Sequence, residues 1–171
     1  MGSKRMSVEQ ARALLGDKVC AEIDHWISIF PAGKTRSASI AALRSAQHEN
    51  GGYITLEQLD AVAACLDLPQ IAIYEVASFY SMLETDPVGR HSVSVCTNVS
   101  CMLCGGEEIL AHVERKLGVR AGESTPDGRI YLKCEEECLA ACKDAPMMMV
   151  DHVFHANLTP ERVDEILDGL E

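Results

Sequence analysis

Apolar residues recur at helical spacing through the first half of the chain and gather into short runs through the second. Between residues 7 and 30, Val8, Leu15, Val19, Ile23, Trp26, Ile27 and Phe30 share one stripe at steps of three, four or seven. That spacing predicts a helix ended by Pro31-Ala-Gly33. A second helix is expected from Ser37 to about Glu49, with Ile40 and Leu43 inward and Asn50-Gly51-Gly52 as its stop. Thr55-Leu-Glu-Gln58 has the form of a capping box, with Thr55 as N-cap and Gln58 as the third helical residue. Leu56, Leu59, Val62, Ala63 and Leu66 supply the apolar face of that third helix. Pro69 opens a fourth, in which Ala72, Val76, Phe79, Tyr80 and Leu83 align. Short loops between such helices predict an all-helical unit.

Thr85-Asp-Pro-Val-Gly89 is rich in turn formers and marks a boundary. Beyond it the pattern changes to strand (91–96), helix (106–117), strand (129–133), strand (147–151), short strand (153–155) and helix (160–170). Ile109, Leu110, Val113 and Leu117 line the first of these helices, and Val163, Ile166, Leu167 and Leu170 the last. Thr159-Pro160 reads as an N-cap followed by proline at the first helical position. A β-α-β-β-β-α order suits a small open sheet with helices packed on it.

Composition narrows the function. The chain has 171 residues, of which 47% are apolar, and a formal net charge of −11. It can therefore bury a core, and it lacks the basic stripe with which proteins displace counterions from nucleic acid. No apolar run is long enough to span a bilayer, and no hydrophobic signal core follows the polar Met1–Arg5 segment. An intracellular setting is expected, where thiols stay reduced and clustered cysteines point to metal or redox chemistry.

Six of the eight cysteines fall in two groups, each after a predicted strand: Cys96, Cys101 and Cys104, then Cys134, Cys138 and Cys142. Four readings compete. Two thiolates from each loop would hold a [2Fe–2S] cluster. Four thiolates would equally hold structural zinc, although Cys138-x₃-Cys142 is a marginal knuckle. Cys101-Met-Leu-Cys104, between a strand and a helix, could serve a thiol–disulfide oxidoreductase, with Pro146 as the proline beside its site. Core packing is the fourth reading and explains six cysteines poorly. Cys20 and Cys65, set among apolar neighbours in the helical half, do read as core thiols. Spacing alone leaves the choice among metal and redox readings open.

The residues resemble the thioredoxin-like [2Fe–2S] ferredoxin family, in the form it takes within bacterial respiratory NADH:quinone oxidoreductase. The resemblance is carried by Cys96-x₄-Cys101 with Glu137-Cys138-Leu139-x-Ala141-Cys142, by Leu43-x₃-Gln47 with Gly52-Tyr-Ile54, and by Tyr74-Glu-Val-Ala-Ser-Phe-Tyr80. Thr125-Pro-Asp-Gly128, Ala145-Pro-Met147 and Asn157-Leu-Thr-Pro160 also fit, so it spans roughly residues 8–171. It implies an α+β chain. A helical bundle (1–85) would precede a thioredoxin-like α/β domain (86–171) with a mixed four-stranded sheet.

The resemblance further implies one [2Fe–2S] cluster ligated by Cys96, Cys101, Cys138 and Cys142, with Cys104 and Cys134 outside the ligand set. The chain would transfer electrons as a subunit of an NADH-oxidising complex on the cytoplasmic side of the inner membrane. Its partners would be a flavoprotein carrying FMN and the NADH site, and other peripheral-arm subunits. Related subunits serve NAD-linked hydrogenases and formate dehydrogenases. A zinc-stabilised interaction module remains the reading from a different class, beside the Cys101/Cys104 oxidoreductase.

Other motifs add little. No G-x-G-x-x-G follows a strand, so NADH oxidation is expected elsewhere, and Gly105-Gly106 reads as a site of close packing. Met147-Met-Met149 reads as strand core, and His152 and His155 as residues of a polar turn. Glu135, Glu136 and Glu137 beside the second cysteine group would lower a cluster's potential.

Overall fold

The computed structural model describes residues 6–134 and 138–171. The chain divides into two compact units, Met1–Pro87 and Val88–Glu171. Among the described residues no helix is long and apolar enough to cross a membrane.

The first unit is helical. Helix α1 (Val8–Ile29) starts from a capping box in which the Ser7 side chain and Gln10 satisfy each other's backbone N–H groups. It is not one straight rod. Gly16 has φ 79° and ψ 164°, a conformation essentially reserved for glycine, and the helix kinks there. Arg12 donates two hydrogen bonds to Asp24, at 2.9 and 2.6 Å. Twelve residues of straight helix would separate them by about 18 Å, so the first segment turns back along the second. The guanidinium holds the Asp24 carboxyl below the usual carboxylate range. The kink also takes Val8 off the expected stripe. It is exposed, and Ala11 is buried in its place.

A 3₁₀ turn (Thr35–Ala38) leads into α2 (Ser39–Glu49), and the expected capping box of Thr55 and Gln58 begins α3 (Leu56–Cys65). Pro69 precedes α4 (Gln70–Phe79). Two expected core residues face out: Leu56 is 68% exposed and Phe79 is 78% exposed. Ile73 and Ala77 fill the inner face of α4 instead. Ile23, Leu43, Ile54, Leu66 and Ile73 are fully buried, with Cys20 packed among them and Cys65 at the edge. Gln47 ties the α2 end to the segment after α4. It donates to the Met82 carbonyl at 3.0 Å and accepts from the Glu84 N–H at 2.7 Å.

The second unit is a sheet with helices on it. Its strands are β1 (His91–Val95), β2 (Glu123–Ser124), β3 (Ile130–Lys133), β4 (Met148–Val150) and β5 (Val153–His155), in the order β2-β3-β1-β4-β5. The sheet is mixed, but it has five strands and not the expected four. The added strand, β2, is two residues long, too short for any alternation to reveal it. It exists because Gly122 and Thr125 carry the chain back antiparallel along β3. β1 and β3 are parallel, with Val93 opposite Leu132, and β4 runs antiparallel to β1, with Val95 opposite Met148. Asp151 and His152, both with positive φ, form the two-residue turn of the β4–β5 hairpin.

Between β1 and β3 lie α5 (Val99–Leu103), where a loop was expected, and α6 (Gly106–Leu117); α7 (Pro160–Asp168) follows the hairpin. Val93, Val95, Ile130, Leu132, Met148 and Val150 pack against Ile109 and Val113 of α6 and Val163 and Leu167 of α7. Thr159 caps α7 as expected, accepting from the Arg162 N–H, with Pro160 at its first position. Arg129 closes the far end of α7, donating to the Leu167 and Leu170 carbonyls.

Candidate cluster site

The site is built at the C-terminal ends of β1 and β3, where strand order leaves two loops side by side. Cys96 directly follows β1, and its N–H donates to the Met147 carbonyl at 3.1 Å. Cys101 sits on α5. Cys96 and Cys101 are each 1% exposed and pack with Met147, walled by Leu139, Ala141 and Ala145. Gly106, at the start of α6, presses on the same loop so closely that it has no room for a side chain. From the second loop come Cys138 and Cys142, both exposed, with their sulfurs 3.3 Å apart. Ala140 donates its backbone N–H to Cys138 Sγ at 3.3 Å. Cys142 opens a 3₁₀ turn (Cys142–Asp144); the Ala145–Pro146 bond that follows is cis, and Met147 packs against the first pair.

The two thiol pairs lie within electrostatic reach of each other. Cys96 lies within hydrogen-bonding reach of Cys101, and Cys101 feels the charge of Cys142 as well. Burial, then the Cys96 contact, push the Cys101 thiol up to about 11, while the Met147 backbone N–H acts the other way. A thioredoxin-type nucleophile needs the opposite, a depressed value and access to solvent. Cys104, its supposed partner, is exposed at the end of α5. Cys134 is exposed after β3. Glu135, Glu136 and Glu137 lie outside the described residues, as does the potential-lowering role expected of them.

The donor set fits a two-iron cluster. Such a cluster takes two thiolates at each iron, which is the pattern of two close pairs. Tetrahedral zinc would need its four ligands around a single point; among the described residues no three of His, Cys, Asp and Glu form a group that could hold a metal ion of any kind as they stand. His152 lies in the hairpin turn and His155 on β5.

Comparison with known proteins identifies the family. The family described as thioredoxin-like [2Fe-2S] ferredoxin matches residues 23–171. The chain belongs to this family. An E-type NADH-quinone oxidoreductase subunit of Rhizobium meliloti (strain 1021), the second of that type, is 45% identical over 134 residues, which are 78% of this chain and 79% of that one. The E-type NADH-quinone oxidoreductase subunit of Rickettsia bellii (strain RML369-C) is 39% identical over 144 residues, 84% and 86% of the two chains. Among solved structures, an NAD+-reducing [NiFe]-hydrogenase in the air-oxidized state shares the fold with a TM-score of 0.64 at 20% identity. That match covers 77% of this chain but only 22% of the hydrogenase chain.

Within the thioredoxin-like ferredoxin fold, the cysteines named from the sequence form two close pairs, Cys96 with Cys101 and Cys138 with Cys142, but sequence reasoning missed two backbone donors. Met147 was read only as core. It is core, yet its N–H also reaches Cys101 and its carbonyl holds Cys96. Ala140 is the unassigned position inside the second cysteine motif, and nothing in an alanine announces a donor. The loop's backbone makes it one.

Proposed function

We infer that this chain is the one-electron carrier subunit of an NADH–quinone oxidoreductase, with one [2Fe–2S] cluster held by Cys96, Cys101, Cys138 and Cys142. The observation that supports this reading is two close thiol pairs, in the loops after β1 and β3, in a chain of the ferredoxin family. When bound, the cluster supplies a site that takes up and gives back a single electron. The protein does the rest. Cys96 and Cys101 anchor one side in a wall of Leu139, Ala141, Ala145 and Met147 that keeps water away. Cys138 and Cys142 hold the other side at the surface, where an electron partner can approach.

The chain carries no dinucleotide-binding glycine motif, so hydride removal from NADH belongs to a partner. An FMN-bearing flavoprotein is the partner we propose, within a peripheral arm on the cytoplasmic side of the membrane. Exposed Tyr74, Phe79 and Met82 on and after α4 are candidates for docking. The hydrogenase likeness speaks for a shared fold alone.

The test is the visible and EPR spectrum of purified protein, with iron and acid-labile sulfide assays. A dithionite-reducible protein with two irons and two sulfides per chain is expected. A colourless protein loaded with zinc would sink the reading. Co-purification with an FMN-containing chain then tests the partner.

A further inference from the structure

We propose that Ala140 is a positioning residue that sets the cluster's reduction potential through the hydrogen bond its backbone N–H donates to Cys138. The inference rests on the [2Fe–2S] reading above. Ala140 has φ 62°. Side chains other than those of Asn and Asp seldom enter that left-handed region, because Cβ crowds the following carbonyl. At Asp151 and His152 the same conformation is explained by the hairpin turn they form. Among the described residues, Ala140 belongs to no such hairpin. What the conformation accomplishes is to turn the N–H back onto Cys138 Sγ, 3.3 Å away, inside the three-residue span that brings Cys138 and Cys142 together. Strain held at a functional loop is a device in its own right.

The two thiol pairs are served unequally. Met147 offers its N–H to Cys101 from a fully buried position, whereas Ala140 offers its own to Cys138 at the surface. An N–H aimed at a coordinating sulfur stabilises negative charge there, and more so once an electron has been added. The Ala140 bond therefore favours the reduced state and raises the potential. It does so on the exposed side, the side we assign to electron exchange.

The experiment is an EPR-monitored redox titration of the cluster-loaded full chain at fixed pH. Ala140→Gly keeps the N–H and accepts positive φ freely; an unchanged potential and a higher melting temperature are expected. Ala140→Val places a β-branched residue where φ must be positive, which rotates the peptide and turns the N–H away. Its potential should become more negative at unchanged iron content. A valine variant with full iron and the wild-type potential overturns the proposal, because a merely structural role would move stability and leave the potential alone.

Should valine prevent cluster assembly, the wild-type protein decides. With ¹⁵N-alanine labelling, pulsed EPR of the reduced cluster should show a coupled alanine nitrogen and a solvent-exchangeable proton. The Ala140 contribution to that coupling should be lost in Ala140→Gly, leaving at most the contribution of Ala141 and Ala145. No coupling in the wild type, or a spectrum unchanged in the glycine variant, overturns the proposal. A wild-type protein that takes up no [2Fe–2S] cluster sinks the functional reading itself, whereas a loaded cluster indifferent to Ala140 sinks only this inference.

Discussion

Gly106 stands against Cys96 with no space for a side chain: a Cβ built on it would lie 2.7 Å from the Cys96 carbonyl oxygen and 2.9 Å from the Cys101 carbonyl group. Those atoms belong to the backbone that carries two of the four proposed ligands, so they cannot swing aside as a flexible side chain would. Gly106→Ala should therefore push the first cysteine loop outward. We expect a loss of about 1–3 kcal/mol from overpacking and reduced cluster occupancy. Thermal unfolding and the iron-to-protein ratio measure both, and a fully loaded alanine variant would refute the coupling.

The cysteines should divide four to two. Cys138→Ser removes one of the exposed pair and is expected to abolish or markedly alter the cluster spectrum. Cys104→Ser and Cys134→Ser change exposed thiols outside the proposed ligand set and should leave spectrum and iron content as in the wild type. Bleaching of the Cys104 variant would overturn the ligand assignment and return weight to the Cys101/Cys104 pair.

Gly16 tests the helical unit by itself. Nothing lies within 4 Å of a Cβ placed there, so alanine meets no clash. Its cost is conformational: φ 79° with ψ 164° is nearly closed to residues with a side chain, and strain of about 1–3 kcal/mol follows. Either the kink persists at that cost or the helix straightens and separates Arg12 from Asp24. A drop in the denaturant midpoint for Gly16→Ala is expected in both cases. Unchanged stability would mean that the kink is not required.

The His91–Asp151 contact supplies a pH dependence. His91 Nδ1 lies 2.6 Å from an Asp151 carboxylate oxygen and Nε2 lies 2.8 Å from the Glu171 carbonyl. Both ring nitrogens thus face acceptors, an arrangement that suits the doubly protonated ring. The Asp151 hydrogen bond first, and the Glu171 carbonyl second, raise the His91 value above its ordinary one, against a smaller effect of burial. With the folded value raised, the folded state binds the proton more tightly. The stabilisation is complete below the unfolded value of about 6.5 and is lost as pH rises through the higher folded value. Urea midpoints measured from pH 6 to pH 9 should fall across that window, and His91→Gln should flatten the fall. A wild-type profile as flat as the variant's would count against it.

Much of the architecture could be read from local chemistry. The Thr55–Gln58 box, the Thr159-Pro160 start and the 106–117 helix each rest on interactions within a few residues, and the structure has them where the pattern placed them. The inward faces of α6 and α7 followed from periodicity, and of Met147-Met-Met149, expected as strand core, Met147 and Met148 are buried while Met149 is half-buried. Local patterns failed where non-local geometry decides. Leu56 and Phe79 match an apolar stripe, but among the described residues of the helical unit none covers their side of the helix, and both are exposed. The two-residue β2 has no period to detect. Gly16 looked like one more helical position, because a single residue's φ and ψ are not written in hydrophobic spacing.

For the site, the sequence by itself determined the donor chemistry: which thiols exist, and that they come in two groups after two strands. The four-and-two division came from family likeness, since spacing alone left it open. Only the tertiary structure decided how they face one another. Parallel pairing of β1 with β3 aligns the two loops at one end of the sheet. Gly106 then lets α6 close on the first pair, and the backbone of Ala140 and Met147 turns its N–H groups toward sulfur. The physical reason is that side-chain identity is a property of the chain, whereas the direction of a backbone dipole is a property of the fold that holds it.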